Sequence, residues 1–183
     1  RGRIYLSPLS DQERIARESV AHDYPETNLP KQALGFRIQI YGMDKHHKLF
    51  ATRQLIALTT FSDLVKEAHN RVLSDANSQN MVQHPLKIEA VGLESYADAV
   101  VCFLGLALSK LSDAQSSLCR WKPTMDQSIA TFGRQALPMV WDFSEANVFS
   151  GMAGDYTTTL NNMMRILDKL NIWTEGHVYQ LDA

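Results

Sequence analysis

The sequence predicts a mainly α-helical fold with two or three short strands, and three observations support this class. Apolar residues recur every three to four positions through several long segments, as they do on one face of a helix. Shorter segments alternate apolar and polar residues, which is typical of half-buried strands. The 183 residues are 45% apolar and 21% charged, a composition that indicates one globular domain and excludes a disordered or collagen-like chain.

Two helices are predicted in the N-terminal part of the chain, at about 11–22 and 53–74. The first follows Ser10 and Glu13, which have the spacing of a capping box. The second begins behind Thr52, a residue type that favours the N-cap position. Its core-facing side is predicted from one apolar stripe, formed by Leu55, Leu58, Phe61, Val65, Ala68 and Val72.

A short strand is predicted between these helices, at residues 36–41. Phe36, Ile38 and Ile40 alternate there with polar or amphipathic residues, which is the two-residue period of a half-buried strand. Gly42 closes the run. We expect the three apolar side chains to lie on one buried face.

Two further strands are predicted later in the chain. LKIEAV at 86–91 has strand composition, and HVYQLDA at 177–183 starts with strand alternation and then stops. Because a domain seldom finishes in mid-strand and the chain opens on Arg1, we expect an excised piece of a longer protein. The predicted organisation is one domain with an N-terminal helix and connector at 1–35, a helical core at 36–174 and the start of a truncated strand at 175–183.

The most apolar helix of the chain is predicted behind Ser95, which forms a second capping box with Asp98. Its residues are apolar on nearly every side through Leu108, so we expect the central buried helix of the domain. The longest uninterrupted apolar run, 99–108, is about half the length needed to cross a bilayer. The sequence therefore predicts no membrane partner.

Two more helices complete a set of five. Thr124 and Gln127 repeat the capping spacing after Pro123, so a short helix is predicted that ends at Pro138. Asp155 is the expected N-cap of the last helix. Its apolar stripe consists of Leu160, Met163, Met164, Leu167 and Leu170.

Charge and cysteine content limit the possible functions. Eighteen Lys and Arg against twenty Asp and Glu give a net charge of −2, so no global positive field can hold duplex DNA. Cys102 and Cys119 are expected to be too far apart for a disulfide, since a helix of that length separates them by roughly 25 Å. Reduced thiols indicate a cytoplasmic protein.

The densest group of candidate functional residues lies in 120–121 and 130–147. Aromatic and arginine side chains interleave there around Gly133 and Pro138. Such a pattern suits stacking on an unpaired or flipped base, with arginine on phosphate. The DNA-contact candidates are Arg120, Trp121, Arg134, Trp141 and Asn147.

From composition alone, a structural interpretation of the same residues is favoured over DNA contact. Arg134 could pair with Asp142 or Glu145 and tie a loop to the core beneath packed tryptophans. Burial of Trp121 and Trp141 would favour this alternative.

No complete catalytic motif and no metal site are predicted. The six histidines include no pair at helical spacing of three or four residues, so surface or turn positions are favoured over metal ligation. The glycines of GMAG at 151–154 precede a helix and could hold phosphate. The motif lacks Lys or Thr, and Asp155 would repel an anion, so a plain loop is favoured.

Long strings of the sequence resemble an internal region of bacterial adenine-specific DNA methylases. These are YADAVVCFLGLALSKLSDAQSSLCRW and ATFGRQALPMVWDFSEANVFS, preceded by IYGMDKHHKLFATRQLIALTTFSDLV. The resemblance covers most of 36–150 and continues more loosely to the end. It implies part of an enzyme that transfers a methyl group from S-adenosylmethionine to the exocyclic amine of adenine in DNA.

The resemblance implies that the cofactor loop of the family lies N-terminal of this region. It also implies that an Asp-Pro-Pro-Tyr motif follows a strand similar to HVYQLDA. The chain would then be a helical insertion of a larger α/β methyltransferase, inactive alone. S-adenosylmethionine is expected in the parent protein and not on this piece. The expected partners are DNA, the rest of the methyltransferase chain and a second copy in a homodimer.

Individual residues match the family strings to different degrees. Trp141, Asp142, Phe143, Glu145 and Asn147 match, whereas Val148 stands where a proline is usual. Arg53 and Gln54 match the upstream block. Asp182 resembles the acidic residue that ends a methyltransferase strand near the adenine of the cofactor, which makes it the cofactor-binding candidate.

Overall fold

The computed structural model describes residues 4–33, 35–78, 91–133 and 135–170, and this part of the chain is mainly helical with one two-stranded antiparallel sheet. The α-helices are α1 (Ser10–Glu18), α2 (Thr52–Ser78), α3 (Val91–Ala114) and α4 (Tyr156–Leu167), the strands are β1 (Arg120–Lys122) and β2 (Gln127–Ile129), and two 3₁₀ turns span Gln39–Tyr41 and His46–Leu49.

The first predicted helix is confirmed in a shorter form. The backbone N–H of Leu9 donates to Oε1 of Gln12 at 2.8 Å, so the cap lies one residue before the predicted capping box. None of the α1 residues is buried. Its apolar side chains, such as Ile15, therefore face solvent instead of the core.

Helices α2, α3 and α4 pack in sequence order, with α3 in contact with both neighbours. The buried apolar residues of α3 are Ala97, Ala107 and Leu111, whereas Phe103 and Leu106 on the outward side are exposed. The prediction of a helix buried on nearly every side is therefore wrong. One side of α3 lacks a packing partner among the described residues, and the helix starts well before Ser95.

Helix α3 is also unusually long and apolar. Among the described residues, the stretch Gly92–Ala114 is long and apolar enough to span a membrane by length and composition, a test that core helices of soluble proteins also pass.

The last predicted helix is confirmed together with its cap. The Asp155 carboxylate accepts the backbone N–H of Thr158 at 2.7 Å, the contact expected of an N-cap. Tyr156 fixes α4 to its neighbours. Its ring lies 4.5 Å from that of Phe61 in α2, and its hydroxyl donates to the carbonyl of Leu104 in α3 at 3.1 Å.

The predicted strand at 36–41 is wrong. Only Ile38 is buried, Ile40 is 81% exposed, and the backbone forms a 3₁₀ turn that ends at Gly42 with φ of 85°. A positive φ is accessible to glycine without steric cost. Phe36 forms a single parallel bridge with Leu137. The apolar alternation therefore does not mark a buried strand face. It reflects one buried residue, Ile38, between more exposed apolar residues.

The predicted helix after Pro123 is also wrong, since the segment forms a β-hairpin. Arg120 pairs with Ile129 and Lys122 with Gln127 across an antiparallel ladder. The connecting turn contains Asp126 at φ of 50°, a conformation that Asp tolerates better than most residues. The predicted strand at 86–91 lies outside the described residues except for Val91, which begins α3, and the strand at 177–183 lies wholly outside them.

The largest aliphatic cluster of the described residues sits among irregular segments. It joins residues that are far apart in sequence and at most 6% exposed, and we call it the loop core: Leu29, Ile38, Leu49, Leu118 and Leu137. Ser117 connects the segment after α3 to this cluster, because its N–H and hydroxyl both donate to the carbonyl of Leu49 at 2.8 Å. Both cysteines are free, as predicted, with Cys102 exposed and Cys119 buried.

Candidate nucleic-acid interface

The hairpin β1–β2 organises the region that holds the predicted DNA-contact residues. Arg120 pairs with Ile129 on one side of β1 and forms an isolated antiparallel bridge with Phe143 on the other. The N–H of Ser144 donates to the carbonyl of Cys119 at 2.9 Å. The segment around 141–144 therefore runs alongside β1.

Strand alternation divides the predicted cluster between two faces. Successive side chains of a strand point to opposite faces, and directly paired residues share a face. Arg120 and Lys122 accordingly lie on the face of Phe143, while Trp121 lies on the other face with its partner Ser128. Consistent with this arrangement, Oγ of Ser128 lies 2.7 Å from Oγ of Ser144, the neighbour of Phe143 in the chain. Arg120 and Trp121 thus belong to different surfaces.

Trp141 is one of the most exposed large side chains of the structure, at 75% of its accessible area. Its ring meets that of Tyr41 at a centroid distance of 5.4 Å and an interplanar angle of 81°. This edge-to-face contact is a favoured aromatic geometry, and it orients the indole without covering it. No local sequence pattern indicates Tyr41 at this position, because only the fold brings the two residues together.

Asn147 has a local structural contact. Its Oδ1 accepts the backbone N–H of Phe149 at 2.9 Å, which stabilises the turn that leads toward α4. Arg134 and the cofactor candidate Asp182 lie outside the described residues. The predicted DNA-contact residues that the structure describes are therefore Arg120, Trp121, Trp141 and Asn147; of these, Arg120 forms a backbone bridge with Phe143 and Trp141 precedes Phe143 by two positions.

Glu145 forms an ion pair that joins distant parts of the chain. Nε of Arg53 donates to its Oε2 at 2.7 Å and a second guanidinium nitrogen donates to Oε1, a bidentate contact between residues 92 positions apart. The alternative interpretation expected Arg134 to pair with Asp142 or Glu145, and Arg134 lies outside the described residues. The Arg53 contact connects the start of α2 with the 130–147 segment, so the two blocks that carry the family resemblance touch.

Gln54, next to Arg53, is buried. Its Oε1 accepts the N–H of Ala51 at 2.8 Å and so caps the start of α2. Its Nε2 finds no hydrogen-bond partner among the described residues.

A buried polar cluster supports the hairpin from beneath. The hydroxyl and the N–H of Thr131 both donate to the carbonyl of Asp113 at 2.8 Å, and its Oγ1 lies 2.6 Å from Oγ of Ser116. Sγ of Cys119 lies 3.5 Å from the same carbonyl. These groups form hydrogen bonds with one another inside the protein. They therefore connect the end of α3 to the residue that follows β2 by two positions.

The glycine loop before α4 is closed to anions by the protein itself. The carboxylate of Asp155 accepts the N–H of Gly151 at 2.9 Å as well as that of Thr158, and these hydrogen bonds hold the pKa of Asp155 below its ordinary value. A side chain at Gly154 would place its Cβ 2.6 Å from that of Ala146. The favoured interpretation of the loop as structural agrees with this geometry.

The glycine loop before α4 does not fit a phosphate or S-adenosylmethionine, because the Asp155 carboxylate already accepts the N–H groups of Gly151 and Thr158. Within the same ranges no group of three or more His, Cys, Asp or Glu side chains is placed to hold a metal. The adjacent histidines make local contacts: Nδ1 of His46 lies 3.0 Å from Oγ1 of Thr27, and Nδ1 of His47 lies 3.2 Å from the carbonyl of Pro25.

We call the residues around the bridge between Arg120 and Phe143 the contact face: Arg120, Lys122 and Phe143, together with Trp141, two positions before Phe143, and Tyr41, which contacts Trp141. Lys122 was not among the predicted contact residues, although its position next to Arg120 and Trp121 could have suggested it. No family model, curated protein or solved structure matches the chain.

Proposed function

We propose that this chain is a helical insertion of an S-adenosylmethionine-dependent, adenine-specific DNA methyltransferase, and that it touches DNA through the contact face. The resemblance of its sequence strings to that family supports the enzyme class. The contact face supports the role of this piece. In this proposal the cofactor loop and the catalytic motif belong to the rest of the parent protein, and this chain has no activity alone.

The observation that carries the DNA-contacting role is the exposure of Trp141, two positions before Phe143, whose backbone bridges Arg120. An exposed indole offers a flat aromatic face on which a nucleic-acid base can stack. Arg120 and Lys122, which share one face of β1, provide charge for phosphate. With a net charge of −2 over the chain, the attraction is local, so the face would position DNA that other parts of the enzyme also hold.

Methyl transfer by the full-length protein tests this proposal. The measurement is incorporation of the labelled methyl group of S-adenosylmethionine into the adenines of duplex DNA. We expect the double variant Arg120→Gln with Trp141→Ala to raise KM for DNA about tenfold or more, since one lost stacking contact and one lost phosphate contact are together worth about 2 kcal/mol or more. Arg165→Gln removes an exposed arginine from α4 and is the matched control, expected to leave KM unchanged.

Two results would count against the proposal. Absence of adenine methylation by the full-length protein would refute the enzyme class. Methylation with an unchanged KM in the double variant would refute the DNA-contacting role and leave the enzyme class in place.

A second candidate function, a module that braces the catalytic domain or pairs two copies, is favoured by a different observation. The outward side of α3 exposes apolar residues that face no described element: Ala99, Cys102, Phe103 and Leu106. Leu106→Asp would then disrupt association, measured as molar mass by light scattering, without altering DNA binding. An unchanged mass would remove the support for this candidate.

A further inference from the structure

We propose that the contact face accepts an unpaired DNA strand in preference to duplex. This inference rests on the proposed function and specifies the form of DNA that the same face binds. It starts from two kinds of group: the exposed aromatic pair of Trp141 and Tyr41, and the two cations on one face of β1, where the backbone of Phe143 bridges Arg120. Each kind restricts the ligand in a different way.

The aromatic pair favours a base whose face is free. In duplex DNA every base is stacked on both sides, so an indole can reach a base face only after that stack is opened. An unpaired strand offers base faces directly, and stacking on aromatic side chains is how sequence-tolerant single-strand binding is achieved. Trp141 is 75% exposed, and Tyr41 contacts it edge-on at 5.4 Å. Tyr41 is thus a positioning residue that fixes the indole in an accessible orientation.

The cations fit the same ligand in number and spacing. Arg120 and Lys122 are two positions apart on β1, so their Cα atoms lie roughly 7 Å apart on one face. This spacing is close to that of successive phosphates in an extended strand. Two cations can neutralise only two phosphates, fewer than the roughly six to ten that are contacted by proteins whose duplex affinity depends steeply on salt.

The other face of β1 provides a matched control for this inference. Trp121 is the same residue type, partly exposed at 46%, and adjacent to both cations in the chain. Strand alternation directs it away from Arg120 and Lys122. Its removal should therefore leave binding of an unpaired strand unchanged if the contact face alone carries the interaction.

The experiment measures the fluorescence anisotropy of a labelled oligodeoxynucleotide of about 12 residues and mixed sequence, titrated with the 183-residue chain. The oligonucleotide is used as a single strand and after annealing to its complement. We expect the single strand to bind at least about tenfold more tightly than the duplex. Trp141→Ala should weaken single-strand binding about tenfold, Trp141→Phe should restore most of it, and Trp121→Ala should change it less than about twofold.

Salt dependence gives an independent measurement if Trp141→Ala fails to fold. Each phosphate contact to a single strand contributes a slope of about −0.7 to the logarithm of affinity against the logarithm of salt concentration, so two cations predict about −1.4. Arg120→Gln with Lys122→Gln should bring the slope close to zero.

Three results would overturn the inference. They are equal or tighter binding of duplex, single-strand binding that is insensitive to both Trp141→Ala and the double cation variant, and absence of single-strand binding. The proposed function is judged separately by methyl transfer in the full-length protein. A duplex-binding chain whose parent methylates adenine would therefore refute the inference alone.

Discussion

In the loop core, five aliphatic side chains from irregular segments are at most 6% exposed. In the layer formed by α2, α3 and α4, the buried apolar residues among those described are three alanines and one leucine: Ala76, Ala97, Ala107 and Leu111. Burial of a large aliphatic side chain contributes about 1.5–3 kcal/mol and that of an alanine methyl much less. The helices thus hold most of the regular backbone hydrogen bonds, while the loop core holds most of the large aliphatic side chains that are buried.

This difference teaches that regular secondary structure and hydrophobic core need not coincide. The helix layer exposes Phe103, Leu106 and Met164 to solvent. The loop core, in contrast, is surrounded by half-buried side chains that complete it: Phe36, Met43, Phe50 and Met139. Substitutions at matched residue types in the two regions can therefore break or sharpen the comparison.

The largest effect is expected from a pair of isoleucines. Ile38 in the loop core is 0% exposed and Ile166 in α4 is 60% exposed. Ile38→Ala should lower the free energy of unfolding by about 2–5 kcal/mol because it leaves a cavity. Ile166→Ala should change it by less than about 0.5 kcal/mol. Urea denaturation followed by circular dichroism measures both, and similar losses for the two variants would break the comparison.

The next effect concerns the most deeply held polar group of the helix layer. Asp155 is 2% exposed and caps α4, so Asp155→Ala should lower the free energy of unfolding by about 2 kcal/mol. Asp168→Ala removes an exposed carboxylate at the other end of α4 and should cost less than about 0.5 kcal/mol, since an acid there gains nothing from the helix dipole. Equal losses at both ends would contradict the capping role.

The Asp155 cap also predicts a pH dependence. Its pKa is lowered in the folded state by hydrogen bonds, first from Gly151, with opposing desolvation. A lowered pKa means that its stabilisation is complete above the unfolded value of about 3.9 and is lost as the pH falls through the folded value. Unfolding curves between neutral pH and strongly acidic pH should therefore converge for wild type and Asp155→Asn. A gap between them that widens with acidification would refute this sign.

A smaller effect separates two threonine hydroxyls. Thr131 bonds the carbonyl of Asp113 and Ser116 in the buried polar cluster. Thr131→Val should cost about 1 kcal/mol, because Ser116 loses a partner away from water. Thr59 in α2 bonds only the carbonyls of its own helix, so Thr59→Val should stay within about 0.5 kcal/mol. Thermal unfolding measures the loss of stability in both variants. Equal losses would contradict the prediction that the Thr131 hydroxyl in the buried polar cluster stabilises the protein more than the Thr59 hydroxyl in α2.

The smallest effect is expected at the connection between the regions. The Arg53 and Glu145 side chains are 49% and 26% exposed, so their bidentate pair should contribute about 0.5–1 kcal/mol. A double-mutant cycle of Arg53→Gln and Glu145→Gln measures that coupling, which should shrink in about 1 M salt. Coupling of several kcal/mol that persists in salt would mean that the two regions are locked together more strongly than their surfaces suggest.

Sequence patterns predicted the helix layer well because helix signals are local. The periodic apolar residues of α2 and the cap at Asp155 depend on neighbours within a few positions. The pattern at 36–41 misled because alternation alone cannot distinguish a strand from one buried residue, Ile38, between exposed ones. Thr124 and Gln127 misled because capping residues are also turn residues, and the Pro123 turn closed a hairpin instead.

The candidate site was predictable only in part, for a similar reason. Arg120 and Trp141 could be named from composition, since arginine and tryptophan are the residue types that contact nucleic acid. The Tyr41 contact with Trp141 and the Arg53 contact with Glu145 join residues far apart in sequence. No local pattern encodes such pairs. The separation of Trp121 from Arg120 required knowledge of the strand.

The two cysteines allow the solvent access of each region to be measured by the rate of thiol modification. Cys102 lies on the open side of α3, whereas Cys119 is 0% exposed next to the loop core. A thiol reagent added to the native protein should modify Cys102 at once and Cys119 only when the interior opens, since a buried thiol is protected from reagent. Mass spectrometry of timed samples then reports the opening rate of the interior without any substitution. The chain without substitutions thus supplies both rates: fast modification of Cys102 serves as the reference, and slow modification of Cys119 reports opening of the interior.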